Sequence, residues 1–171
     1  MKERLQRIIS LRVNGRTYEL SVGDGLTDMP ESETLADTLR DRLGFTGLKI
    51  GCNQGACGCC TVIMNGKPIT SCMTLTMDCD GGDITTIEGL ADAATGELSG
   101  LQQAFLDNCG YQCGFCIPGI IMTAQALLDH NPDPTEEEVR EALAGNYCRY
   151  GTHYTAVESI MAYVEQRRNG K

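Results

Sequence analysis

The chain has 171 residues, room for one domain or two small ones, and 42% of them are hydrophobic, an ordinary globular share. Its 23 acidic and 14 basic side chains leave a formal charge of −9, and it has no tryptophan and 5% aromatic residues, so it lacks both the positive field and the stacking platform of a nucleic-acid binder. No apolar run approaches the roughly 18 residues needed to cross a bilayer. Residues 1–10 hold no continuous apolar stretch and no twin arginine, which argues against export, so the ten cysteines point to a reducing cytoplasm rather than to disulfides.

In chain order, residues 8–13 alternate apolar and polar, Asn14-Gly15 supplies a two-residue turn, and 16–22 alternate again, which predicts a hairpin. Residues 33–43 place Leu35, Leu39 and Leu43 on one helical face, with Gly44 as terminator. The loop 51–60 carries cysteines and glycines. Residues 61–64, the Asn65-Gly66 turn and 67–72 predict a second hairpin, and 83–87 a last strand. Hairpin, helix, loop, hairpin and strand is the order of a β-grasp ferredoxin fold. From residue 98 the period becomes helical, with helices predicted over 98–108, 118–129, 136–144 and 154–166. Pro118 sits in a first turn, and Thr135 with Glu138 forms a capping box. The fold class is therefore α+β: a β-grasp unit over 1–88, a linker over 89–100 and a four-helix bundle over 101–171. Each half alone buries a modest core, so bound metal would act as a staple.

Cys52, Cys57, Cys60 and Cys72 follow the spacing C-x4-C-x2-C…C, that of a plant-type [2Fe–2S] site. Three thiolates from one loop must converge, and Gly51, Gly55 and Gly58 let the backbone approach and turn its N–H groups toward an anionic cluster. A zinc site or buried free thiols would not call for those glycines. Farther on, Cys113 and Cys116 form a C-x2-C pair ahead of one helix and Cys148 precedes another. Alone, that pair also suits zinc or a redox disulfide.

Taken together, Thr46-Gly47-Leu48-Lys49-Ile50-Gly51-Cys52, Gly55-Ala56-Cys57-Gly58-Cys59-Cys60-Thr61-Val62, Gln112-Cys113-Gly114-Phe115-Cys116-Ile117-Pro118-Gly119 and Gly145-Asn146-Tyr147-Cys148-Arg149 resemble the small iron–sulfur subunit of the molybdenum hydroxylases, the xanthine dehydrogenase family. The likeness runs from about Leu11 to Tyr163. It implies a second [2Fe–2S] cluster on Cys113, Cys116 and Cys148, and a Gln112 that reaches toward the pterin of a molybdenum cofactor on a large partner chain. An FAD-binding subunit is implied as well, with electrons passing from molybdenum through the C-terminal cluster and then the N-terminal one to the flavin, or in reverse in a reductive enzyme.

Where relatives read Cys-Arg-Cys, this chain reads Cys148-Arg149-Tyr150. Three outcomes compete: Tyr150 ligates iron through its phenolate, another side chain such as Cys109 or His153 substitutes, or the cluster is lost. Tyr150 is favoured because it needs no change of chain path. Cys59, Cys79 and Cys109 read as small buried hydrophobes. Glu136, Glu137 and Glu138 read as a solvated first helical turn, and Arg149 as either a solvated charge or an interface contact. Residues 23–33 are longer than the matching connection in relatives and read as a surface loop or a partner contact.

No triad, paired-carboxylate motif or phosphate loop occurs, so the chain itself makes no bonds in a substrate. The reading is an electron-transfer subunit of a molybdenum-dependent oxidoreductase. A free ferredoxin-like carrier is the alternative, although such a carrier has no need of the helical half, and a zinc-stapled interaction module is a third reading. Substrate choice belongs to a pocket on another chain.

Overall fold

The structure, a computed structural model, describes residues 7–170; residues 1–6 and 171, the outer ends of the two expected halves, lie outside the described residues. Strands β1 (Arg7–Val13) and β2 (Arg16–Val22) pair antiparallel from Arg7↔Val22 to Val13↔Arg16. The turn between them has Asn14 at φ 50° and Gly15 at φ 80°, the left-handed pair that matches strand twist. The same device, Asn65 at φ 51° and Gly66 at φ 78°, joins β3 (Thr61–Met64) to β4 (Lys67–Thr70). Strand β5 (Asp83–Thr85) enters between the hairpins, parallel to β1 and antiparallel to β3, for a sheet order β2-β1-β5-β3-β4.

The predicted helix over 33–43 is real in place but not in form. Helix α1 (Leu35–Asp37), capped by Thr34, widens at once into a π-helical turn over Thr38–Arg42, in which the Leu43 N–H reaches back five residues to the Thr38 carbonyl. The buried Thr38 hydroxyl is held by Glu33 at 2.6 Å and by Thr76 at 2.8 Å, so tertiary hydrogen bonds shape this turn more than side-chain periodicity does. Leu35 and Leu39 still enter the core, where they meet Leu11, Val13, Leu48, Val62 and Ile84. Each such side chain contributes about 2 kcal/mol by leaving water.

Four helices follow: α2 (Gly100–Asp107), α3 (Ile117–His130), α4 (Glu136–Ala142) and α5 (His153–Asn169). They enclose Leu101, Phe105, Ile120, Val139, Ile160 and Val164. The starts of α2 and α4 are closed by capping boxes, Ser99 with Gln102 and Thr135 with Glu138.

The sheet and the helices are packed directly on one another. Strand β3 is buried on both faces: Val62 faces the sheet core, while Ile63 joins Met122 and Ala126 of α3 together with Ile87 and Leu90. That double burial is why Val62, Ile63 and Met64 read as a continuous apolar run rather than an alternation. The stretch expected to be a linker begins as a fixed joint, a 3-10 turn over Ile87–Leu90 whose Ile87 carbonyl accepts from Gln102 Nε2 at 3.1 Å. Residues 23–33 are likewise anchored: Met29 is buried against Ile9 and Val22, and Arg42 bonds the Thr27 and Asp28 carbonyls.

Candidate metal centre

The loop 51–60 presents Cys52 and Cys57 half-exposed and Cys60 buried. Cys72 was expected at the end of a strand, but β4 stops at Thr70. A 3-10 turn over Ser71–Met73 follows, and both the N–H and the hydroxyl of Ser71 bond the Cys60 carbonyl, the hydroxyl at 2.6 Å. That turn carries Cys72 inward beside Cys60. Gly58, at φ +66°, could not be replaced without collision, since a Cβ there would meet Asn146 Nδ2 at 2.6 Å and the Gly145 carbonyl at 2.7 Å.

Backbone N–H groups point at sulfur, as a bound anion requires. Gln54 N–H, at 3.5 Å, is the main reason the Cys52 thiol is lowered to about 7, with the Cys57 thiol and the Ala56 N–H at 3.3 Å adding to it. Burial pushes Cys60 the other way, up to about 11. A low thiol and a high thiol in one loop describe a site organised for thiolates whose buried members need a cation.

The second group forms where α3 and α5 begin. Cys116 is the N-cap of α3, raised to about 11 by burial and then by the neighbouring Cys148 thiol. Burial works to raise Cys148 as well. It is outweighed by the Thr152 hydroxyl at 2.8 Å, the Thr152 N–H at 3.4 Å and the Tyr150 N–H, which bring Cys148 down to about 7. A cavity of about 260 Å³ is lined by Cys113, Phe115, Cys116, Tyr147, Cys148, Arg149 and Tyr150 on this side, and by Gly51, Cys52, Cys57 and Cys59 from the first loop.

Among the described residues no three Cys, His, Asp or Glu side chains stand close enough to hold a single ion. Thiols adjoin two at a time instead, Cys52 with Cys57, Cys60 with Cys72 and Cys116 with Cys148, and Cys59 also lies beside Cys57. A structural zinc gathers four donors on one atom, whereas a two-iron cluster takes two outer ligands at each iron. The paired donors, N–H groups aimed at sulfur and the glycine-walled loop fit the cluster.

Other sequence candidates are placed as follows. Tyr150 stands at the cavity rim with 64% of its surface exposed, Arg149 is exposed beside it, and Gln112 is exposed next to Cys113 in the chain. Cys79 is buried, but Cys109 is not: it is exposed, at φ +51°, where the chain leaves α2, which corrects its reading as a buried hydrophobe. His153 lines a separate cavity of about 440 Å³, its Nε2 2.6 Å from the Asn146 carbonyl. Glu138 serves the cap and Glu136 pairs with Arg140 in solvent. Sequence reasoning passed over Thr152 and Asn146, whose roles arise across the loops, and assigned Cys59 no contact with the second thiol group.

Two family models match the chain, one described as a 2Fe-2S iron-sulfur cluster binding domain over residues 15–95 and one as a [2Fe-2S] binding domain over residues 86–161. The nicotine 6-hydroxylase small subunit of Paenarthrobacter nicotinovorans is 46% identical, the match covering 90% of this chain and 87% of that one. The nicotinate dehydrogenase small FeS subunit of Eubacterium barkeri is 47% identical over 93% and 95%. Among solved structures, a chain of quinoline 2-oxidoreductase from Pseudomonas putida 86 superposes with a TM-score of 0.84 at 38% identity, covering 96% of this chain and 98% of that one. With identity of 46–47% to such subunits over nine-tenths of the chain and a matching fold, the chain belongs to the [2Fe–2S] electron-transfer subunits of the molybdenum hydroxylases, the xanthine dehydrogenase family.

Proposed function

We propose that Cys52, Cys57, Cys60 and Cys72 hold one [2Fe–2S] cluster in a β-grasp unit over residues 1–88, and that Cys113, Cys116 and Cys148 hold a second in a four-helix bundle over 101–171, with 89–100 as the connection. Bound there, the clusters supply one-electron carriers between a molybdopterin site and a flavin on partner chains. The chain's own residues position them, donate hydrogen bonds to their sulfurs and keep water out. The observation that carries this reading is the direct joint between the two thiol loops, where the Tyr147 N–H donates to the Cys57 carbonyl at 2.9 Å. Tyr150, which the sequence offers for the remaining ligand position, stands at the rim of the cavity.

A docking surface supports the partner assignment. Leu98, Leu106, Tyr111 and Phe115 are each at least 41% exposed, and an apolar groove of about 270 Å³ runs past Tyr111 and Gly114. Gln112 lies within this stretch, a suitable place for contact with a pterin. The free carrier reading offers no use for such a face. Seven cysteines committed to clusters suit a reducing compartment, the cytoplasm, and among the described residues no helix is long and apolar enough to cross a membrane. Relatives carry names that range from nicotine and nicotinate to caffeine and aldehyde, so substrate choice rests with the large partner chain.

Purified anaerobically from its native host, the protein should contain about four irons and four labile sulfides per chain, and should co-purify with a large molybdopterin chain and a flavin chain. A colourless protein with stoichiometric zinc would overturn the cluster assignment, and a monodisperse, partner-free monomer would favour the free carrier.

A further inference from the structure

We infer that Cys59, from the N-terminal loop, is the fourth protein ligand of the C-terminal cluster. The inference rests on the reading above, in which three thiolates, Cys113, Cys116 and Cys148, hold that cluster and its fourth position stands open.

The ten thiols divide without remainder. Cys52, Cys57, Cys60 and Cys72 make the N-terminal set. Cys79 is buried elsewhere, its Sγ 3.4 Å from the Leu75 carbonyl, and Cys109 is exposed beyond α2 and does not line the cavity. The four that remain are Cys59, Cys113, Cys116 and Cys148, and all four line the same 260 Å³ cavity. Cys59 is 5% exposed and packs in one buried cluster with Cys116 and Cys148.

Its backbone is fixed where a ligand would be wanted. The Cys59 Cα lies 3.0 Å from the point a Cβ on Gly119 would occupy, so Cys59 is pressed against the first turn of α3, whose N-cap is Cys116. Its sulfur lies between the two thiol groups, beside the Cys57 thiol and near Cys116, and comes 3.7 Å from the corresponding point on Gly51, which the Cys57 sulfur approaches to 3.2 Å and Phe115 to 3.5 Å. The rivals are less well placed. Tyr150 is 64% exposed, and His153 directs its Nε2 at the Asn146 carbonyl from another cavity. Thiolate is also the softer donor and the usual partner of cluster iron.

On ligation the Cys59 S–H bond breaks, its proton passes to solvent and a sulfur–iron bond forms, with no change in electron count. The cluster is then held by both halves of the molecule. Cys59 adjoins Cys60, a ligand of the other cluster in this reading, so one peptide bond separates the two sites.

The test uses the full chain purified anaerobically, with iron and sulfide content and low-temperature EPR of the reduced protein as readouts. Cys57→Ala identifies the N-terminal signal by removing it. Cys59→Ala should lower iron from about four to about two per chain and abolish only the C-terminal signal, the surviving signal showing that the protein is folded. Cys59→Ala combined with Tyr150→Cys should regain the lost cluster, and Tyr150→Phe alone should keep both. Should Cys59→Ala lose both signals, Cys59→Ser decides: a retained C-terminal cluster with an altered signal supports the ligand, and an unaltered one refutes it. Cys59→Ala with both signals intact, or with only the N-terminal one lost, overturns the inference, as does loss of the C-terminal cluster in Tyr150→Phe. A wild-type chain that holds only one cluster is a different failure, that of the underlying reading.

Discussion

Tyr147 donates its backbone N–H to the carbonyl oxygen of Cys57 across 2.9 Å. Cys57 belongs to the N-terminal thiol loop, and Tyr147 immediately precedes Cys148 of the second group, so one hydrogen bond spans the two. Asn146 reinforces it, its Nδ2 donating to the Gly58 carbonyl at 3.3 Å. Electron transfer between two carriers needs a fixed separation more than it needs motion, and these bonds tie the two thiol loops together.

The joint has no room for a methyl group. A Cβ on Gly119 would lie 2.1 Å from the Gly58 carbonyl oxygen and 3.0 Å from the Cys59 Cα, both backbone atoms that cannot rotate away. Alanine normally favours a helix by about 1 kcal/mol over glycine, but here overpacking wins. Gly119→Ala should destabilise the protein by roughly 3 kcal/mol, a fall in thermal midpoint of about 6–12 °C for a chain of this size. Gly145→Ala is the control, since a Cβ there meets nothing within 4 Å, and its midpoint should stay near that of wild type.

Thr152 tunes the second thiol group. Its hydroxyl lies 2.8 Å from the Cys148 sulfur, and donors of this kind favour the more negative state, hence raise a cluster's potential. Thr152→Val should shift the C-terminal cluster to a lower potential in an EPR-monitored redox titration, while Thr152→Ser should not. A difference of about 1 kcal/mol between oxidation states corresponds to roughly 40 mV for one electron. An unchanged potential in Thr152→Val would show that the hydroxyl does not act on the cluster.

Arg42 and Glu33 fasten residues 23–33 to the π-helical turn. Arg42 Nε lies 2.6 Å from one Glu33 oxygen and Nη2 2.8 Å from the other, a bidentate pair that is only partly exposed. Burial acts to raise the Glu33 carboxyl, but the Arg42 and Thr38 hydrogen bonds prevail and hold it below its usual 4.5. A lowered carboxyl contributes stability that is fully present above 4.5 and is lost as pH falls through the lowered value. Glu33→Gln should therefore cost about 1–2 kcal/mol near neutral pH, and the gap to wild type in denaturant titrations should close below pH 4.5. Arg42→Lys should recover little, because an ammonium cannot make both bonds.

The apolar groove beside Gln112 should act as the docking face. Leu106 lines it and is 47% exposed. A charge there, Leu106→Glu, should weaken association with the large partner chain by about 30-fold, the effect of losing roughly 2 kcal/mol at an interface anchor. Iron content and the absorption spectrum should be unchanged. Full co-purification of the variant would place the interface elsewhere.

Much of this was legible in the sequence, because the information is local. The Asn-Gly turns set both hairpins through two left-handed residues each, the capping box at Thr135 marks α4 by itself, and the spacing of Cys52, Cys57 and Cys60 describes one loop around one object. The tertiary structure decided what depends on residues far apart. Cys72 reaches Cys60 only because Ser71 bonds the Cys60 carbonyl, Thr38 bends its helix because Thr76 and Glu33 take its hydroxyl, and 62–64 is apolar throughout because α3 covers the second face of its strand. Cys59 is the plainest case. Its neighbours in sequence belong to one thiol group, while in space it meets both, Cys57 on one side and Cys116 and Cys148 on the other, and packing across the joint, which no local pattern encodes, is what brings it to the C-terminal set.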